Sequence, residues 1–225
     1  MTTWLDDVRA RLTAAGLDVT HAFDAACLAA LTPPVPTLGR AHPQALLVGN
    51  SRALWPLFVA RADAHGEHPL DRYVEASLDD ALAGAPPHAL LLGHVPDDDH
   101  GFWPLQRQAA AAGLGRLAPS HLLIHPTLGP WLALRALVVF DADATWVDEL
   151  PPPPPCDCAR GCEVALVHAQ QARGEEAWRA WLAVRDACPV GAQARYGEDQ
   201  ILHHYTHAGS LLRRRRPVGP VPTLD

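Results

Sequence analysis

Apolar positions along the chain fall into two periods, one helical and one strand-like. Trp4, Leu5, Val8, Leu12 and Ala15 recur at the spacing of one helix face, and Gly16 ends the pattern. VTHAF (19–23) reads as a short strand. Thr32 to Pro43 carries four prolines and is expected to be a loop. QALLVGN (44–50) is a buried strand through Leu46, Leu47 and Val48. SRALWPLFVARADA (51–64) then reads as a helix capped by Ser51, with Pro56 as a kink point in its second turn. Asp71 to Ala83 predicts another helix, HALLLGHV (88–95) another buried strand, and FWPLQRQAAAAGL (102–114) a helix stopped at Gly113.

HLLIHPTLGPWLALRALVVF (121–140) holds two apolar runs, expected to pair as antiparallel strands across HPTLGP. The five prolines of VDELPPPPP (147–155) cannot join a sheet, so this segment is expected to run extended over the surface. Glu163 to Ala172, Glu175 to Cys188 and Glu198 to His207 read as helices. Strands that alternate with helices, then a hairpin, then helices alone predict an α+β fold with a mixed sheet flanked by helices. Residues 1–212 are expected to form a single domain, with a proline strap at 151–155 and a loose arginine- and proline-rich tail at 213–225.

Arg135 sits in the middle of the second apolar run. On a regular strand, Leu132, Leu134, Ala136 and Val138 share one face, and Ala133, Arg135, Leu137 and Val139 the other. A buried arginine needs either a carboxylate partner in the fold or an anionic ligand. The residues alone leave both open. Arg185 lies in WRAWLAVRDACP beside the stripe Trp178, Trp181, Leu182 and Val184. By composition it reads as a solvated helix charge.

Composition narrows the function classes. The chain has 225 residues, a formal net charge of -7 and five cysteines. Its sequence pI of about 6.0 argues against a nucleic-acid binder, since the basic run Arg213 to Arg216 stands alone. All 18 basic residues are arginine. Without lysine there is no P-loop and no Schiff base, which excludes Walker-type NTPases and pyridoxal-phosphate enzymes. No signal peptide or apolar span is visible, so a cytoplasmic location without membrane contact is expected.

Other candidates are weaker. Cys156, Cys158, Cys162 and Cys188 run C-x-C-x3-C and then, 25 residues on, CP. That departs from regular iron–sulfur spacing and reads chiefly as thiols, with a cluster or zinc as alternatives. Cys27 stands alone as a core residue. His203 and His207 share a helix face and read as surface histidines before they read as metal ligands. His121 and His125 share a strand face. GNS (49–51), after a strand and before a helix, is either an N-cap or a weak phosphate site.

Taken in order, LLVGNSRALWPLF, IHP-x2-G-x-W-x-A-x-R (Ile124 to Arg135), Arg185-Asp186 and RY-x-E-x-Q (Arg195 to Gln200) resemble cobalamin-processing proteins of the MMACHC type. The likeness runs from about residue 40 to 207. GLGRLAPSHLLIHPTLGPWLAL also resembles a segment of epoxyqueuosine reductase, another cobalamin protein, although five cysteines cannot supply that enzyme's two clusters. The resemblance implies a flavin-reductase-like (nitroreductase-like) sandwich. It implies base-off binding of cobalamin, with cyanocobalamin reductase or alkylcobalamin dealkylase activity driven by reduced flavin (FMN or FAD) and/or glutathione. It places Arg135 and Arg185 on glutathione carboxylates and Ser120, His121 and Leu122 beside the corrin. Cobalamin-dependent acceptor enzymes are the implied partners. The chain departs from the animal proteins in carrying His121 where they have a small residue, and AAAAGLG where they place a histidine. It also lacks their tyrosine-rich hairpin. These departures suggest His121 as an axial ligand. A carrier without turnover, or a degenerate iron–sulfur relative of epoxyqueuosine reductase, are the alternatives.

Overall fold

The first amphipathic stretch forms helix α1 (Trp4–Ala14), closed at its start by a reciprocal capping box between Thr3 and Asp6. The structure, a computed structural model, describes residues 3–61, 67–97, 101–156, 161–175 and 177–206. Strand β1 (Val19–Asp24) leads into a 3-10 turn, Ala25–Leu28. Strand β2 (Pro43–Asn50) precedes α2 (Leu54–Arg61) and α3 (Pro69–Leu82). Then come β3 (His88–Leu92), the short pair β4 (Pro96–Asp97) and β5 (Gly101–Phe102), and α4 (Leu105–Ala111). A second short pair, β6 (Arg116–Leu117) and β7 (Leu123–Ile124), is followed by the long β8 (Ala133–Asp143). Helices α5 (Gly161–Gln171), α6 (Ala177–Asp186) and α7 (Glu198–Thr206) complete the described chain.

The main sheet has the order β1-β2-β8-β3, and its ladders are antiparallel throughout. Alternation along the strands divides the core in two. Leu46, Val48, Ala136, Val138 and Phe140 face α1, α2 and α3, where Leu5, Leu12, Phe58 and Val74 are buried. Ala45, Leu47, Leu137 and Val139 face the other way, onto Leu28, Leu105, Ala109 and Leu123. Helices α6 and α7 add a third cluster around Trp131, Tyr196 and Ile201. The expected α+β sandwich of a sheet between helical layers is thus present, but the sheet is antiparallel throughout and not mixed, because β2, β8 and β3 enter it in alternating directions.

Two local expectations are corrected. HLLI and WLALRALVVF do not pair with each other. Strand β8 already has β2 on one edge and β3 on the other, so Leu123 and Ile124 ladder with Leu117 and Arg116 instead. The strand faces also shift. The β2–β8 register slips between Val48↔Ala136 and Gly49↔Leu134, a bulge at Arg135. Leu132 and Leu134 therefore pack with Leu137 and Val139, and not with Ala136 and Val138.

Two buried glutamines behave differently. Gln44 donates to Trp146 O at 2.8 Å and accepts from the N–H groups of Thr145 and Trp146 at 3.0 Å, anchoring the segment after β8. Gln108 is fully buried in α4, yet neither of its amide atoms has a partner among the described residues. A buried amide left unsatisfied costs about 1–3 kcal/mol. Gln108→Met keeps the shape without the polar atoms and is expected to raise the melting temperature by a few degrees. A lower melting temperature would show that the amide does find partners in solution. Among the described residues, no helix is long and apolar enough to cross a membrane.

Candidate functional site

On the α4 side of the sheet lies an open cleft of about 540 Å³. Its walls are the approach to α4 and its first turn (Trp103 to Arg107), the β6–β7 hairpin, the entry to β8 (Leu132 to Leu134) and Arg185 of α6. Gln106 Oε1 accepts the Leu123 N–H at 2.7 Å and ties the first two walls together. The hairpin turn is closed by His121 N–H to Ala118 O and Ala118 N–H to Leu122 O, both 2.9 Å. His121 takes a left-handed backbone there, with φ 63. A non-glycine residue in that region is strained by about 1–2 kcal/mol, so the turn itself fixes where the exposed imidazole sits.

His121, Leu122 and Arg185 therefore meet on one cleft. Ser120 does not. It is buried on the far side of Leu122, in a second, smaller cavity. Arg135 lies beside the cleft and not on its wall. Its carbonyl accepts from the N–H of Gly93, a cleft residue, at 2.8 Å.

The bulge turns the Arg135 side chain toward Asn50, whose Oδ1 accepts from Nε at 2.7 Å. Nη2 is buried with no hydrogen-bond partner, and among the described residues no carboxylate forms an ion pair with this guanidinium. Burial pulls its pKa below the ordinary arginine value. Tyr196 and Asp71 oppose that shift, and the neighbouring charge of Arg185 adds to it. Arg185 is half-buried and donates to Pro130 O at 3.2 Å. Asp186, next in sequence, does not neutralise it, because Arg195 holds Asp186 at 2.8 Å and Glu198 at 2.7 Å. Tyr196 stands near both arginines. Burial raises its pKa while Arg185 and Arg135 pull it down, so its hydroxyl stays neutral. Two cations thus converge on a tyrosine, and among the described residues neither has a carboxylate in ion-pair contact. The pair fits an acidic ligand, and a bidentate guanidinium fork suits a carboxylate.

The HPTLGP turn sets the position of these groups. His125 Nδ1 accepts from the N–H groups of Thr127 and Leu128, both at 3.2 Å, and His125 bridges to Gly129. Burial lowers the His125 pKa, which favours the neutral ring those bonds require. Gly129 (φ 56) lies directly against Val190 and Gly191 (φ 71), backbone on backbone. The turn is thereby seated on the segment just after α6.

The remaining candidates resolve differently. The donors of the GNS loop are taken: Ser51 N–H and Oγ–H bind the Asp18 carboxylate at 2.8 and 2.6 Å, so a phosphate has no place there. Ser51 Oγ accepts from Ala53 N–H at 3.1 Å, and the helix starts only at Leu54. His203 is not a surface residue. It is buried against Trp55 and Phe58, and His207 lies outside the described residues. Cys27 is exposed and not core, because the 3-10 turn spends its inward positions on Ala25 and Leu28. Cys156, Cys162 and Cys188 line the small cavity with Ser120, while Cys158 and the 213–216 run lie outside the described residues. Among the described residues no group of three or more His, Cys, Asp or Glu side chains is arranged to hold a metal ion.

Sequence reasoning missed Trp103, Gln106 and Arg107 as cleft residues and Asn50 and Tyr196 as the arginines' neighbours. The only sequence signal for Tyr196 was its place in RY-x-E-x-Q.

No family model matches the chain. It is similar to the cyanocobalamin reductase / alkylcobalamin dealkylase of Danio rerio, 35% identical over 95 residues, which covers 40% of this chain and 35% of that protein. The protein of the same name from Homo sapiens is 33% identical over 129 residues, 53% of this chain and 43% of the relative. The matches thus span less than half the length of these curated relatives. Among solved structures, the C. elegans B12-trafficking protein CblC, a human MMACHC homologue, superposes with a TM-score of 0.71 at 16% identity, over 93% of this chain and 94% of that one. Epoxyqueuosine reductase from Bacillus subtilis gives a TM-score of 0.49 at 13% identity. The chain therefore has curated homologues among the cyanocobalamin reductase / alkylcobalamin dealkylases and shares the fold of CblC.

Proposed function

We propose that this protein binds cobalamin in the open cleft and removes its upper axial ligand, by glutathione-dependent dealkylation and/or flavin-dependent reductive decyanation. The observation that carries the reading is the pair Arg135 and Arg185. Two cations without a carboxylate partner among the described residues stand beside a cleft that already holds His121 and Leu122. The similarity to named cobalamin-processing enzymes supports it. The cleft is open and mostly apolar apart from His121, Gln106, Arg107 and Arg185, which suits the broad face of a corrin better than a small enclosed substrate.

In this reading Arg135 and Arg185 bind glutathione through its carboxylates and aim its sulfur at the upper face of the corrin. The thiolate attacks the alkyl carbon, a C–S bond forms, and the electron pair of the broken Co–C bond stays on cobalt. For the cyano form, reduced flavin supplies the electrons and cyanide leaves. The protein's share is positioning and exclusion of water. No side chain is assigned as a general base. Ser120 lies on the other side of Leu122, in the smaller cavity, and is given no role in the cleft.

His121 is assigned to the cobalt or its immediate surroundings. His121→Gly removes the imidazole and suits the left-handed backbone. It is expected to change the visible spectrum of bound cobalamin without loss of stability, and an unchanged spectrum would remove His121 from the axial position.

The test of the whole reading is a visible absorption titration with cyanocobalamin and methylcobalamin, followed by glutathione or reduced flavin in the same cuvette. A base-off shift followed by conversion is expected. A shift without conversion makes the protein a carrier, and no shift together with no cobalamin retained on the protein through gel filtration removes cobalamin altogether.

A further inference from the structure

The second cavity has a chemistry of its own. It is small, about 110 Å³, and three of its lining residues are Cys156, Cys162 and Cys188. Its other walls are largely apolar, with Leu122, Ile124 and Val184 among them, and Leu122 separates it from the main cleft. The three cysteines reach it from different elements. Cys156 ends the proline strap, which Arg116 holds through the Pro154 carbonyl. Cys162 lies at the start of α5 and is buried. Cys188 comes just after α6 and is half-buried, with its N–H on Arg185 O at 3.1 Å.

The short link from Gln171 to Ala177 makes α5 and α6 an antiparallel hairpin, so the start of α5 adjoins the end of α6. Cys162 and Cys188 stand at that open end. Protein interiors are close-packed, and a buried sulfur such as that of Cys162 ordinarily lacks the room to swing toward a neighbour. Here the shared void supplies it.

We infer that Cys162 and Cys188 form a thiol–disulfide exchange site for low-molecular-weight disulfides, with glutathione disulfide as the probe. The thiolate of Cys188, the more accessible of the two, attacks one sulfur of the disulfide and releases one glutathione thiolate. The thiolate of Cys162 then attacks Cys188 Sγ, an intramolecular disulfide forms, and the second glutathione leaves. The protein dithiol is oxidised by two electrons and the small disulfide reduced to two thiols. The two cysteine protons end on the two glutathiones. Excess reduced glutathione drives the same steps backward. Nothing in this depends on the ligand of the main cleft.

The test uses the whole protein with no cobalamin added, so its failure is separate from failure of the function proposed above. Reduced protein is equilibrated with glutathione at graded ratios of disulfide to thiol, quenched with an alkylating reagent and mapped by peptide mass spectrometry. The expected result is a Cys162–Cys188 cross-link that grows with the disulfide fraction and reverses in excess thiol, while Cys27 remains open to alkylation. Cys162→Ala is expected to trap glutathione on Cys188. Because the bond closes a loop, the oxidised wild type is expected to melt several degrees above the reduced form. Alkylation of both Cys162 and Cys188 at every ratio, or cross-linking through Cys156 or Cys158 in their place, overturns the inference even if a variant fails to fold.

Discussion

Arg135→Ala and Arg185→Ala are each expected to lower glutathione-dependent dealkylation by about ten- to over a hundredfold, the equivalent of 1.5–3 kcal/mol for a lost charge-assisted contact. Cobalamin binding is expected to change little. The reason is the electrostatic state of the pair. Among the described residues neither guanidinium has a carboxylate partner, Arg135 is held only by the neutral Asn50 Oδ1, and its Nη2 is buried without a partner. A fold does not gain stability from such a charge, because desolvation outweighs what one neutral hydrogen bond returns. Arg135→Met, of similar volume and apolar, is therefore expected to leave the melting temperature unchanged or raise it while turnover with glutathione falls. That opposite movement of stability and activity marks a residue kept for its ligand. The measurement is a thermal melt beside single-turnover conversion of methylcobalamin over a range of glutathione concentrations. A variant that loses stability and cobalamin binding together would return Arg135 to a structural role.

Gly129→Ala and Gly191→Ala are expected to be the most destabilising single-atom-group additions in the described chain. Each glycine has positive φ, 56 and 71, and each faces the backbone of the other's segment. A Cβ on Gly129 would overlap the Val190 carbonyl, and one on Gly191 would overlap the backbone of Leu128. Backbone, unlike the end of a side chain, cannot turn aside. Strain and forced separation together are expected to cost about 3–5 kcal/mol, a large fraction of the 5–15 kcal/mol that holds a domain. For a chain of this size that is on the order of 10 °C in melting temperature. Gly113→Ala is the control. Its φ of 86 carries the same kind of strain, but a Cβ there meets nothing within 4 Å. Its cost is expected to be about 1 kcal/mol. If the three variants melt together, the turn does not dock as described. If the first two also lose glutathione dependence at temperatures where they are folded, the docking positions Pro130 and, through its carbonyl, Arg185.

Much was legible in the sequence wherever a segment's own pattern was enough. The helical spacing of Trp4 to Ala15, the buried run of β2, the stop at Gly113 and the irregular proline strap all follow from local chemistry: side-chain period, capping, left-handed glycine and prolines without an N–H. The ordered motifs around Ile124 to Arg135, Arg185 and Arg195 to Gln200 also marked the parts that meet at the site. What failed was decided by partners distant in sequence. Whether HLLI pairs with the strand after it depends on whether that strand's edges are free, and β2 and β3 occupy both. The direction of Arg135 depends on a one-residue slip against Gly49, which a strict alternation cannot contain. The weaker, phosphate-binding reading of GNS was closed by Asp18, and His203 looked exposed until Trp55 and Phe58 covered it.

Most of the longer elements, the α+β class and the residue types able to carry the chemistry could be read locally, because these rest on periodicity and residue type. The tertiary structure alone decided which of those residues share a cavity. It put His121, Leu122 and Arg185 on one cleft, set Ser120 with Cys156, Cys162 and Cys188 on another, and left Arg135 and Arg185 close together without a counter-ion among the described residues. Those outcomes depend on edge occupancy, strand register and backbone contact between segments some 60 residues apart, as at Gly129 and Gly191, and no local pattern encodes them.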